Sequence, residues 1–222
     1  MNFERTVALL GPERFERLRA MHVTVYGLGG VGGWCAEALL RSGVGRLTLV
    51  DDDVIQPSNL NRQCCAVAGT IGCLNAEAMK ARLLEIDPEA DIAACCRRFT
   101  PGDVPIACDA IVDAIDSVDC KCALVLAAGA AGIPIVSSLG AAKRTDPTKV
   151  ALGRFRKVEG DALARAMRSR FRKGGCIPDF LCAYSTEKPM QTTTLGSVMP
   201  VTASFGMALA AAIVGDLKGE SL

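Results

Sequence analysis

The stretch VTVYGLGGVGGWCAEALLRSGVGRLTLVDDDVIQPSNLNR, residues 23–62, decides the fold. Val23 to Tyr26 is an apolar, β-branched run that reads as a strand. It leads into Gly27-Leu28-Gly29-Gly30-Val31-Gly32, then a helical stretch from Trp34 to Arg41 and a turn at Gly43–Gly45. A second strand, Leu47 to Val50, ends in acid. Strand, glycine turn, helix, strand and acid, in that order, form the setting a nucleotide-binding glycine motif requires. Glycines let the backbone bend sharply and approach a phosphate, while the helix N-terminus offers unpaired N–H groups to the anion. Asp51 lies 24 residues after Gly27, near the spacing at which a carboxylate reaches a ribose hydroxyl.

The residues after Asp51 narrow the chemistry. The run continues Asp52-Asp53-Val54-Ile55-Gln56-Pro57-Ser58-Asn59-Leu60-Asn61-Arg62-Gln63. A redox dinucleotide protein has no use for Asn59, Arg62 and Gln63 crowded past its ribose-binding acid, so a dehydrogenase ranks third. A protein that grips a triphosphate and expels pyrophosphate needs such donors to offset charge building on the phosphates. The glycine turn together with residues 51–63 resembles the ubiquitin-activating-type adenylyltransferase superfamily. Further matches are FERTVALLG (residues 3–11), VGGWCAEALLRSGVG (31–45), DAIDSVDCKCAL (113–124) and the late STE, GS and VTASFG. These resemble most the branch that dehydrates threonylcarbamoyladenosine in tRNA, and they span most of the chain.

That resemblance implies a fold, an activity and a set of site residues. The fold is α/β, a Rossmann-like doubly wound sheet of the ATP-binding adenylyltransferase type without a zinc module. ATP is the co-substrate and Mg²⁺ the metal. Asp51 would hold the ribose, and Gly27, Gly29, Gly30, Gly32, Asn59 and Arg62 the phosphates; Asp53, Gln63 and Asn75 complete the nucleotide site. Asp116 matches the acid that holds magnesium, and Arg5 the arginine that reaches the phosphates of the other subunit in a homodimer. From the residues alone Arg5 is an ordinary exposed arginine, and Asp116 is equally an N-cap for the helix that follows. One departure stands out: Gly72-Cys73-Leu74-Asn75 places asparagine where the resemblance implies lysine. Asparagine donates a neutral hydrogen bond and cannot neutralise a developing charge. Two alternatives follow: a nucleotide-binding relative that has lost turnover and acts as a partner protein, and an adenylyltransferase for a ubiquitin-like sulfur carrier, with a sulfur-transfer partner.

Composition sets the outer bounds. A chain of 222 residues, half of them apolar, can bury one substantial core, so a single domain over 1–222 is expected, with a basic excursion near 151–179. Residues 143–173 hold eleven Lys or Arg against three acids, although the whole chain carries only +1. Such a segment is either a surface for a polyanion such as tRNA or a solvated basic helix. Eleven cysteines contain no Cys-x-x-Cys pair, which argues against structural zinc and against the zinc-bearing relatives. With no signal-peptide pattern, a reduced, cytoplasmic protein is expected. The apolar run Val198 to Val214 is interrupted by Pro200, Thr202, Ser204 and Gly206 and reads as a buried helix, not a membrane span.

The remaining elements read in order as follows. Residues 3–20 form one or two helices broken at Gly11-Pro12, and His22 is structural. Residues 76–87 form an amphipathic helix with Met79, Leu83 and Ile86 inward. Ala107 to Asp116 is a strand, Lys121 to Ala131 a helix and Ile133 to Ser138 a strand. Arg154, Arg156 and Lys157 alternate in a strand-like stretch. Asp161 caps a helix on which Arg165, Arg168 and Arg172 share a face. Phe180 to Thr186 is a strand in which Cys182, the candidate for a thioester, reads as a packed core residue. Gln191 to Ser197 is a polar loop before the closing helix.

Overall fold

The computed structural model describes residues 1–215, and residues 216–222 of the expected domain lie outside the described residues. Seven strands make one sheet: β1 His22–Tyr26, β2 Arg46–Val50, β3 Asp91–Cys95, β4 Ala110–Asp113, β5 Ile135–Ser138, β6 Val150–Arg154 and β7 Leu181–Ser185. Their spatial order is β3-β2-β1-β4-β5-β7-β6. Every neighbouring pair is parallel except β6 and β7. The order reverses between β1 and β4, which opens a crevice at the carboxyl ends of those strands. The helices are α1 Glu4–Leu10, α2 Pro12–Ala20, α3 Gly32–Ser42, α4 Asn75–Ile86, α5 Val118–Ala131, α6 Ala162–Lys173 and α7 Met199–Val214.

β1 and β2 are buried almost end to end, as central parallel strands covered on both faces must be. α3 drives Cys35, Leu39 and Leu40 into the core and stops at Gly43, which takes a left-handed conformation and returns its N–H to the Leu39 and Leu40 carbonyls. α7 lies across α3 at Gly206, where an added Cβ would stand 2.5 Å from the Val31 carbonyl oxygen. Glycine there lets the two helix backbones touch. No described helix is long and apolar enough to cross a membrane.

The basic stretch folds into the sheet edge: β6 pairs with β7, and α6 packs against α5. Phe155 is fully buried, stacked on Phe180 at 4.6 Å and edge-on to Phe171 at 5.9 Å. The alternation expected through Lys157 therefore ends at Arg154, because Phe155 turns inward and a 3₁₀ turn carries Phe155–Lys157. Asp161 caps α6 by accepting from Ala164 N–H at 2.8 Å. The shared arginine face is smaller than expected. Arg168 donates to the Phe155 carbonyl at 3.0 Å and lies over that ring, while Arg165 and Arg172 stay exposed. The strand expected over 107–116 shortens to Ala110–Asp113, and residues 114–117 leave the sheet and line the crevice. His22 bonds Thr48 Oγ1 through Nε2 at 2.8 Å and is structural.

Candidate active site

A cleft of about 1230 Å³ opens at the carboxyl ends of the central strands. Its floor is the glycine turn. Gly27 has φ 84°, and a Cβ there would lie 2.6 Å from the Ala114 carbonyl oxygen. Only glycine lets the turn after β1 touch the loop after β4. Gly29 and Gly30 line the cleft, and the stem of Arg62 covers Gly30. Gly32 does not line it. A Cβ on Gly32 would meet the Gly27 carbonyl oxygen at 1.8 Å, so only glycine closes the turn onto the start of α3.

Asp51 ends β2 and is held from three sides. Its Oδ2 accepts from Leu28 N–H at 2.6 Å, and its Oδ1 from Asp53 N–H at 2.8 Å and from Asn75 Nδ2 at 3.2 Å. Burial pushes the Asp51 carboxyl above the ordinary aspartate range, and the Leu28 bond pulls part of that back. A ribose hydroxyl donates best to the ionised form. Nucleotide affinity is therefore expected to fall on acidification from a pH above the usual aspartate range, and Asp51→Asn to flatten that profile in a titration of ATP binding. Asn75, the first residue of α4, is buried and leaves its Oδ1 without a donor; Gln63 is buried with Oε1 in the same condition. Both line the cleft. Buried acceptors without donors fit a ligand bearing hydroxyl or amino groups.

Arg62 and Asp116 line the same cleft. Arg62 spends Nη1 on the Ser58 carbonyl at 2.8 Å and Asn61 Oδ1 at 2.9 Å, and its own carbonyl accepts from Trp34 Nε1 at 2.9 Å. Those bonds fix the stem, and the remaining guanidinium donors are available for phosphate. Asn59 turns its Oδ1 to Gln56 N–H at 2.8 Å, within the short 3₁₀ turn Pro57–Asn59. Asp116 is exposed on the loop between β4 and α5 and forms no ion pair among the described residues. The residue at the N-cap of α5 is Ser117, and no side chain caps the helix, so the capping alternative for Asp116 is not realised. An exposed carboxylate at the edge of this cleft fits a magnesium ion held through water.

Other expected residues lie elsewhere. Arg5 is exposed on α1; Phe3, just before that helix, packs on Phe15 of α2, and α2 feeds the amino end of β1. It does not line this chain's cleft. Asp53 does line it, 3.8 Å from Arg98. Asp113 is fully buried, with Oδ2 2.7 Å from Lys121 Nζ and 2.6 Å from Ser137 Oγ, and Oδ1 accepting from Ile115 N–H at 3.1 Å. Cys182 is likewise fully buried. Its thiol leans on the Gly153 carbonyl, and burial pushes it up to about 12, the reverse of what a nucleophile needs. Cys182→Ala is expected to leave turnover within about twofold of the parent in a steady-state assay.

Arg98, Thr202 and the Ser138–Ala142 segment also line the cleft and were not foreseen. Arg98 follows β3, an edge strand of small residues without alternation. Ser138–Ala142 follows β5, and the rule that ligands lie beyond the carboxyl ends of parallel strands points to it.

Fold and cleft together define a nucleotide-handling protein of the adenylyltransferase type, and the model of the ThiF family matches residues 3–220; the chain belongs to the ThiF family. Within that family it is similar to the tRNA threonylcarbamoyladenosine dehydratase of Bacillus subtilis, 36% identical over 192 residues that make up 85% of this chain and 76% of that protein. The Escherichia coli protein of that name is 34% identical over 91% of this chain and 80% of its own length. The solved structure of the E. coli enzyme in complex with ATP matches with a TM-score of 0.92 at 32% identity, covering 96% of this chain and 92% of that one. The doubly wound ATP-binding fold expected from the sequence is the fold observed.

Proposed function

We propose that the protein is an ATP-dependent dehydratase that cyclises N6-threonylcarbamoyladenosine in tRNA through an acyl-adenylate. The observation that carries this reading is the convergence of Asp51, Arg62 and Asp116 on one cleft floored by the glycine turn. A carboxylate resists attack because its leaving group would be oxide. Its oxygen attacks the α-phosphorus of ATP and pyrophosphate leaves; the neighbouring carbamoyl group then attacks the activated carbonyl and AMP leaves. One water is lost overall, and ring closure within one molecule benefits from a high effective concentration. Asp51 orients the ribose. Backbone N–H groups at the start of α3, Asn59 and Arg62 face the phosphates, where charge builds as pyrophosphate departs. Magnesium, held by Asp116, would supply further charge neutralisation.

Two features support the partners of this reading. Leu163 of α6 lines the cleft, and Arg165, Arg172 and Lys173 of the same helix are exposed, charge suited to tRNA phosphates. The position of Arg5, remote from its own cleft, suits a homodimer in which it enters the other subunit's cleft. Leu60, Val198 and Met199 are exposed apolar residues near the Asn61–Ser197 hydrogen bond and offer apolar area for such an interface. The reduced thiols suit work in the cytoplasm.

The test is mass spectrometry of nucleosides from tRNA incubated with the protein and ATP. Loss of one water from the threonylcarbamoyl nucleoside is the expected result. The neutral Asn75 favours one competing reading, a relative without turnover: ATP binding with neither pyrophosphate exchange nor nucleoside change would establish it.

A further inference from the structure

The cleft is short of positive charge. Four carboxylates line it, those of Asp51, Asp52, Asp53 and Asp116, against two cationic side chains among the described residues, Arg62 and Arg98. Arg62 lies over the glycine turn, and its Nη1 is engaged by Ser58 and Asn61. Asn75, beside Asp51, contributes a dipole and no charge. Among the described residues Arg98 alone pairs with the acidic run. Its Nε donates to Asp52 Oδ1 at 3.2 Å, and its Nη2 stands 3.8 Å from Asp53 Oδ1. The run cannot swing away as a unit, because Asp53 N–H is tied to Asp51 Oδ1 and Asn75 N–H to the Asp53 carbonyl. Asp52 and Asp53 therefore stay at the mouth of a cleft that must admit phosphates.

We propose that Arg98 sets nucleotide affinity by cancelling the repulsion between this acidic run and the phosphates, so that its importance grows with the charge of the ligand. The assignment rests on the cleft taking a nucleotide and adds a residue to it. An ion pair this exposed contributes little to folding. Its value lies in the field at the cleft mouth, where fixed charges of one sign admit or exclude an ion. Because the groups face solvent, the effect is screened and modest, about tenfold for a ligand of high charge.

The experiment measures binding of adenosine, AMP and ATP to the full chain by calorimetry in magnesium-free buffer, so that the three differ in charge. The parent protein binds all three. Arg98→Gln is expected to leave adenosine within about twofold, weaken AMP about threefold and weaken ATP about tenfold. The ATP defect shrinks in about 1 M salt, where the screening length is about 3 Å. Adding Asp52→Asn to Arg98→Gln brings ATP back to within about threefold of the parent, since the acid left unpaired is gone. An equal loss for all three ligands would mean that Arg98 only shapes the pocket, and no loss would mean that it does nothing there; either overturns the proposal while the nucleotide reading stands. A parent protein that binds neither adenosine nor ATP overturns both.

Discussion

Arg62→Ala and Asp116→Asn are each expected to lower turnover by about 10²–10³-fold while leaving the fold intact. The size follows from where charge appears. As pyrophosphate departs, negative charge concentrates on phosphate oxygens, and a preplaced guanidinium stabilises that state more than the bound substrate. Arg62 is preplaced by its bonds to Ser58 and Asn61 and by the contact of its stem with Gly30. Asp116 stands on the loop after β4, which the tight approach of Gly27 to Ala114 holds against the glycine turn. Neither residue belongs to the core, so the thermal midpoint should stay within the shift expected of about 0.5 kcal/mol. Single-turnover dehydration and pyrophosphate exchange, measured beside thermal unfolding, read both quantities. Turnover within about threefold of the parent in both variants would remove these residues from the mechanism.

Lys121→Met is expected to destabilise the protein by about 3–5 kcal/mol. The Lys121–Asp113 pair is fully sealed from solvent on both sides, at 2.7 Å. Removing the ammonium leaves a buried carboxylate with only Ser137 and the Ile115 N–H as partners. For a chain of this size the loss corresponds to a fall of about 6–20 °C in the unfolding midpoint. Adding Asp113→Asn should recover part of it, because an amide oxygen still accepts from Ile115 N–H and the uncompensated charge is gone. Calorimetric unfolding of the two variants decides the matter. Equal midpoints for Lys121→Met and the double variant would show that charge pairing is not what Lys121 provides.

The first half of the fold was legible because each boundary has a chemical mark. Gly27 needs a positive φ, Gly43 caps a helix, and Asp51 directly follows a strand whose last four residues are buried. The candidate site was legible for the same reason: residues 51–63 carry donors that a buried parallel strand could not tolerate. What could not be read depends on partners remote in sequence. β3 is a run of small residues that becomes a strand only because β2 offers an edge, so Arg98 on its far end was invisible. Arg168 shares a helix face with Arg165 and Arg172 by spacing, yet the Phe155 carbonyl and ring draw it inward. Asp113 and Asp116 are three residues apart in similar surroundings. Which is sealed and which is free is decided by Lys121 and Ser137, on a helix and a strand that follow. The tightness at Gly32 is likewise set by a neighbour in space, the Gly27 carbonyl oxygen, which leaves no room for a Cβ there.

The seat of α7 on α3 at Gly206 has a consequence for how the protein is made. Residues 32–42 leave the ribosome well before residues 199–214 that cover them. At about 5–20 residues per second the delay is on the order of ten seconds. During that interval the outer flank of the nascent α3 is bare and greasy, so the half-made chain is a natural client for a holdase until the final helix has emerged.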